Sequence, residues 1–168
     1  TQVIAVDPIE KRRRLALRYG ADLVFNPNEC DVGFEIKLAT GRLGVDVAIE
    51  ASGAYPALHE AIRSTTLGGL VVPLAFYQGE GKGLRLGEEW HMNRVTIKSS
   101  RANTDPNRDH PIWDNRRIRE TAFELLRTGR LHTDGLIDPI VPFEKSAEAY
   151  RCIDEHPEES IKLGITYP

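Results

Sequence analysis

The chain has 168 residues, 40% hydrophobic and 28% charged, with a formal net charge of −3. A chain of this length and make-up is expected to fold as an ordinary globular domain, burying roughly 70% of its unfolded surface without staples. No apolar run approaches the ~18 residues of a membrane span, the start does not read as a signal peptide, and the mild acidity argues against a general affinity for nucleic acid or anionic membrane.

Residues 3–6 read as a short strand ending on Asp7, and a basic amphipathic helix follows from about Ile9 to Tyr19. Pro8 sits where prolines favour helix starts, and Gly20 where glycines end them. "ADLVFNP" is a second apolar strand. In "NECDVGFEIKLATG", Val32, Ile36 and Ala39 share a helical face ended by Gly41. "VDVAIEASG" is the third strand, with Val45, Val47 and Ile49 alternating, and "YPALHEAIRSTT" is the third helix. "GGLVVPLAF" is a continuous apolar run, which suits a strand covered on both faces. The order β-α-β-α-β-α-β implies a parallel sheet with right-handed crossovers.

The rhythm then changes. "YQGEGKGLRLGEEWHMN" is glycine-rich and irregular, "RVTIKSS" is another strand, and a polar loop follows. "RIRETAFELLRTGRL" is a helix with Ile118, Ala122, Leu125 and Leu126 at helical spacing. An extended "DGLIDPIVPF", a helix in "EKSAEAYRCIDEH" and a strand in "ESIKLGITYP" complete the chain.

Few residues carry obvious chemistry. An acid at Asp7, between a strand and a helix, accepts hydrogen bonds from an adenosine ribose in a Rossmann-type sheet and repels a 2′-phosphate, favouring NAD over NADP. It could equally cap the following helix. The run Lys11 to Arg14 points in nearly all directions on a helix and reads mostly as a solvated face. "GEGKGL" (Gly79 to Leu84) resembles a phosphate-binding loop, but it follows a late strand and no helical pattern follows it. It therefore reads as a flexible loop. Cys30 and Cys152 make no metal spacing and no disulfide framework, which suits a reducing cytoplasm. The five histidines pair with nothing at zinc spacing and read as surface or helix-face residues. Ser99-Ser100 at a strand end has no histidine placed to serve it. No catalytic or metal-ligating residue is assigned.

"VIAVDPIEKRRRLALRYGADLVFNP", "GVDVAIEASGAYPALHEAI", "GGLVVPLAFY", "NRVTIKSS" and "ESIKLGITY", in this order and spacing, resemble the C-terminal half of a medium-chain dehydrogenase/reductase of the zinc-dependent alcohol or polyol dehydrogenase type. The resemblance implies an α/β fold: a Rossmann-like doubly wound parallel sheet, incomplete, over residues 1–103. Residues 104–168 would supply the last cofactor-domain helix and a segment returning to the catalytic domain. By position it implies a set of NAD contacts: Asp7 on the ribose, Arg12 beside the adenosine, and Ser52 and Gly53 in the turn beside the adenine side. Leu74, Ala75 and Phe76 would lie along the nicotinamide, Ser100 and Ala102 would meet the carboxamide, and Lys162 in the final strand would reach the pyrophosphate.

The family's first strand, its glycine-rich turn, its zinc ligands and its substrate pocket have no counterpart in these residues. In the strand order 3-2-1-4-5-6 the missing strand is central. The chain is thus expected to be part of a longer enzyme and inactive alone. The parent would be a cytoplasmic homodimer moving a hydride from a small-molecule alcohol or polyol to NAD, with zinc held elsewhere in the parent. A non-catalytic nucleotide-binding module is the alternative. A methyltransferase, which also binds a ribose with such an acid, fits the strand order and closing strand poorly.

Overall fold

Short apolar strands separated by helices with one apolar face can bury themselves only by layering helix on sheet. The computed structural model describes residues 1–100 and 110–168 and contains that arrangement. In chain order the elements are β1 (Ile4–Val6), α1 (Glu10–Arg18), β2 (Leu23–Phe25), α2 (Val32–Ala39), β3 (Val45–Glu50), α3 (Tyr55–Ser64) and β4 (Thr65–Pro73). Then come β5 (Thr96–Ile97), α4 (Asn115–Arg127), β6 (Ile140–Pro142), α5 (Ser146–Glu155) and β7 (Gly164–Thr166). All strand pairs are parallel, as the alternation requires. The chain divides into two compact units, residues 29–117 and residues 1–28 with 118–168.

The unit of residues 29–117 is built on a three-stranded sheet in the order β3-β4-β5. Ala48 pairs with Val71, and Val71 with Ile97. On that face Val71 and Val95 pack with Leu58 and Ile62 of α3, and Ile62 and Val71 are fully buried. Val32 and Ile36 of α2 are buried too, whereas Ala39, expected on the same face, is exposed. Asp31 starts α2 by accepting from the Phe34 N–H at 3.0 Å. Its carboxyl is held below the usual range, first by the Arg63 hydrogen bond and then by that backbone N–H. Arg63 of α3 also meets Glu60 at 2.9 Å and Glu89 at 3.4 Å. Gly44 (φ +94°) turns into β3 where a Cβ would lie 2.6 Å from the Ser64 carbonyl, so only glycine fits.

Two expectations are corrected here. The apolar run of β4 is not covered on both faces. Its Val71 side is buried, but on the opposite face its neighbours Val47 and Ile49 are 51% and 66% exposed. The alternating Val47 and Ile49 thus mark the face that the described residues leave bare. The cause is layering: α3 packs on one side of the sheet, and a doubly wound sheet needs helices on both. The glycine-rich stretch is irregular as expected, for the turn at Leu86–Trp90 is broken by a kink at Glu88 (φ −99°, ψ −121°). And "RVTIKSS" forms only a two-residue strand, although Lys98 N–H and Ser100 N–H continue to donate to Val71 and Pro73 carbonyls at 2.9 and 3.2 Å.

The other unit holds two two-stranded parallel sheets, β1-β2 and β6-β7. α1 ends as the sequence predicts, with Gly20 at φ +98°. Lys11 joins α1 to the C-terminal segment through Asp138 (2.6 Å) and the Glu159 carbonyl (2.7 Å), and Tyr19 donates to the Asp134 carbonyl at 3.0 Å. Ala149 of α5 is its one buried hydrophobic residue among those described. The predicted apolar stripe of α4 exists as a helix, yet Ile118 and Leu126 stay 41% and 43% exposed. β1 and β3 each have one edge with no strand partner among the described residues.

Candidate functional site

In parallel α/β sheets, loops at the carboxyl ends of the strands gather the ligand contacts, because there the backbone turns away and helix starts point back. Asp7, Ser52, Gly53, Leu74, Ala75, Phe76 and Ser100 fall just after such ends, whereas Arg12 lies within α1 and Lys162 precedes β7.

Asp7 follows β1 directly and is half-buried. Its N–H donates to the Phe25 carbonyl at 3.3 Å, and its Oδ1 accepts from the Ile9 N–H at 2.8 Å. The carboxylate therefore does fold the turn into α1. Oδ2 is left with Arg12 Nη1 at 3.9 Å, beyond hydrogen-bond length. Arg13 donates to the Asp7 carbonyl at 2.7 Å, and Arg14 pairs with Glu10 along the helix. With Lys11 on Asp138, all four cations of the run have partners inside their own unit. Lys162 lies exposed two residues ahead of β7, not within it, and its carbonyl accepts from the Asp138 N–H at 2.8 Å.

In the other unit the turns after β3 and β4 touch. Gly53 has φ +76°, and a Cβ there would lie 2.9 Å from the Phe76 carbonyl oxygen and 3.3 Å from Ala75 Cβ. The structure thereby brings Ser52, Gly53, Ala75 and Phe76 together. Leu74 and Phe76 offer apolar surface, 52% and 84% exposed. Ser100, after β5, donates its N–H to Pro73 and is exposed. Ala102 lies outside the described residues.

One residue of this region was missed in the sequence. Glu50 ends β3 and is only 4% exposed. Its Oε1 accepts from the Ser52 N–H at 2.7 Å and from the Ser52 hydroxyl, and its Oε2 accepts from the Gly53 N–H at 3.2 Å and from the Tyr77 hydroxyl. Burial pushes its pKa up, but these hydrogen bonds outweigh burial and hold it below the usual carboxylate range. Burial and the Glu50 partner push the Tyr77 hydroxyl well above the ordinary phenol range. The signal available in the sequence was an acid closing an apolar strand just before Ser-Gly.

"GEGKGL" forms a loop held by the Tyr55 hydroxyl, which donates to the Gly79 carbonyl at 3.0 Å. It opens no α-helix, which is the feature a phosphate loop requires. His59 is buried on α3 with Nε2 3.1 Å from Arg85 Nη2, a helix-face residue as expected. Among the described residues no group of three or more His, Cys, Asp or Glu side chains is placed to hold a metal ion. The residues described therefore do not fit zinc.

With this geometry in hand, comparison with known proteins gives consistent results. The sequence model described as "Zinc-binding dehydrogenase" matches residues 1–115. The chain is 48% identical over 166 residues to D-guloside 3-dehydrogenase of Escherichia coli K12, covering 98% of this chain and 47% of that protein. It is 34% identical over 146 residues to L-threonine 3-dehydrogenase of Pyrococcus abyssi, covering 76% and 42%. The fold superposes on an alcohol dehydrogenase from Thermus sp. ATN1 with a TM-score of 0.80 at 20% identity, covering 100% of this chain and 45% of that one. The chain thus spans about half the length of the curated relatives it matches. The likeness to the solved structure carries the Rossmann-type α/β fold alone.

Proposed function

The chain belongs to the zinc-binding dehydrogenase family, whose members depend in general on NAD(P) and zinc, and from that premise we propose that it is the cofactor-binding part of a longer NAD-dependent oxidoreductase. The parent would oxidise the CH–OH group of a small alcohol or polyol, in keeping with the names of its relatives. The observation that carries the cofactor reading is Asp7: a half-buried carboxylate at the end of a parallel strand, whose Oδ1 accepts from the Ile9 N–H while Oδ2 has only Arg12 Nη1 at 3.9 Å among the described residues. That oxygen fits a ribose hydroxyl, and its charge disfavours a 2′-phosphate. Arg12 flanks the same carboxylate and would lie along the adenosine.

The other assignments are separate claims. Ser52 and Gly53 would offer a turn surface to the cofactor, Leu74, Ala75 and Phe76 an apolar wall to its nicotinamide, and Ser100 and Ala102 their backbone to the carboxamide. Lys162 would reach the pyrophosphate as a point charge. Bound NAD would supply the hydride acceptor. The chain's own residues would bind and orient it. No step is assigned to zinc, whose ligands would belong to other residues of the parent. The reading divides the chain into a cofactor domain over 1–103 and a catalytic-domain return over 104–168. Cytoplasmic location and a homodimeric parent complete the proposal. A non-catalytic nucleotide-binding module would have the same Asp7 geometry.

Titration of the natural full-length protein with NADH and NADPH, by fluorescence, tests the reading. We expect tighter binding of NADH. Asp7→Ala should weaken it about tenfold or more, since hydrogen bonds to a charged group contribute roughly 1.5–3 kcal/mol. Equal affinity of the wild type and Asp7→Ala would refute the assignment.

A further inference from the structure

We propose that Glu50 is the positioning residue of the cofactor wall in the unit of residues 29–117: it fastens the turn after β3 and the loop after β4 into one piece that presents Leu74 and Phe76. The inference rests on the nicotinamide cofactor reading and adds a residue that the reading did not assign.

The argument starts from accounting for hydrogen bonds. A carboxylate this deeply buried must be matched by donors, or it becomes protonated. Glu50 has four: two N–H groups, a serine hydroxyl and a tyrosine hydroxyl. Three come from the turn after β3 and one from the loop after β4. The same residue's carbonyl accepts from the Leu74 N–H at 2.8 Å, so backbone and side chain of Glu50 both grip that loop. Sterics close the arrangement, because Gly53 sits where a side chain would strike the Phe76 carbonyl. Beyond Tyr77 the loop is held again by Tyr55, whose ring packs tilted against Tyr77 with centroids 5.2 Å apart and whose hydroxyl donates to the Gly79 carbonyl. Phe76 is thus 84% exposed yet flanked on both sides by fixed neighbours.

This assigns Ser52 a different part from the expected one. Its N–H and hydroxyl hydrogens are spent on Glu50, and its Oγ accepts from the Ala54 N–H at 3.2 Å. Ser52 therefore cannot donate to a cofactor without releasing Glu50. It acts through the shape of the turn. A surface held in place before the ligand arrives loses less freedom on binding, and that gain appears in affinity. Glu50 touches no ligand in this account; it works through Tyr77 and the turn.

The test uses the natural full-length protein, with Glu50→Gln, Tyr77→Phe and the double variant. Tyr77→Phe keeps the ring contact with Tyr55 and removes a single donor, so it guards against a fold too damaged to interpret. NADH Kd is read by fluorescence, and kcat and KM for NAD are read separately. We expect each single variant to weaken NADH binding about fivefold to tenfold, the size of one lost hydrogen bond, with kcat changed by less than about twofold. The double variant should be no weaker than the worse single one, because both cut the same link. Variants that bind NADH as the wild type does, or whose effects multiply in the double variant, would overturn the positioning role while leaving the cofactor reading intact. A wild-type protein that binds neither NADH nor NADPH would remove the cofactor reading and this proposal with it.

Discussion

The two units use the same vocabulary of short parallel strands and amphipathic helices, yet they pack very differently. Residues 29–117 bury Val32, Ile36, Leu58, Ile62, Val71 and Val95 to 7% exposure or less, whereas among the described residues the other unit buries a single hydrophobic side chain, Ala149, to 8%. The difference follows from strand number. Three strands under α3, with α2 packed on α3 in turn, enclose an interior, but a two-stranded ribbon has nearly all its surface at an edge. Periodicity alone therefore does not make a core. Val47 and Ile49 teach the same lesson within one strand, since they have strand periodicity and remain exposed.

The comparison can be broken or sharpened by substitution. The largest effect is expected for Ile62→Ala, which removes a fully buried side chain at the centre of the core. It should destabilise its unit by about 2–5 kcal/mol. Hydrogen exchange of the natural full-length protein would show lost protection across residues 29–117. No such residue exists to remove from the other unit among those described, and its amides should exchange faster already. Equal protection of both units would break the comparison.

A smaller contrast comes from two glycines with nearly the same φ. Gly20→Ala meets nothing within 4 Å, so it should cost only the backbone strain of about 1–2 kcal/mol. Gly44→Ala should cost more, because its Cβ would collide with the Ser64 carbonyl at 2.6 Å and the Thr66 nitrogen at 2.9 Å. Thermal unfolding of the two variants would rank them.

The smallest effects concern charge. Lys11→Met breaks a half-exposed pair with Asp138 and should change stability by less than about 1 kcal/mol. Arg63→Met should cost more, since it strips partners from Asp31, Glu60 and Glu89 together. The pH dependence has a definite sign. Asp31 and Glu50 are both held below their usual values, so their contribution is present above about pH 4 and fades as pH falls through the lowered values. The acid limb of residues 29–117 should be shallower in Arg63→Met, as followed by urea unfolding at several pH values.

Much of the fold was legible in the sequence. Gly20 ends α1, Val32 and Ile36 mark the buried side of α2, and the alternation of strands and helices gives parallel pairing throughout. These are local signals, carried within a window of one element. What stayed hidden depends on neighbours. The coverage of β4 is set by which helices reach each face. The shortness of β5 is set by how long β4 offers a ladder. The kink at Glu88 that breaks the turn Leu86–Trp90 has no distinctive composition of its own. At the site, the positions of Asp7, Ser52, Gly53 and Phe76 at strand ends could be read directly. That Glu50 takes up the donors of Ser52 and Gly53 could not, because Tyr77, which completes the arrangement, lies 27 residues away.

Native mass spectrometry of the natural protein, with and without NADH, tests the central claim most directly. A subunit about twice the 18.8 kDa of this chain, gaining the mass of one NADH, is the result predicted for a cofactor-binding part of a longer dehydrogenase. A subunit of 18.8 kDa that gains no NADH would contradict it.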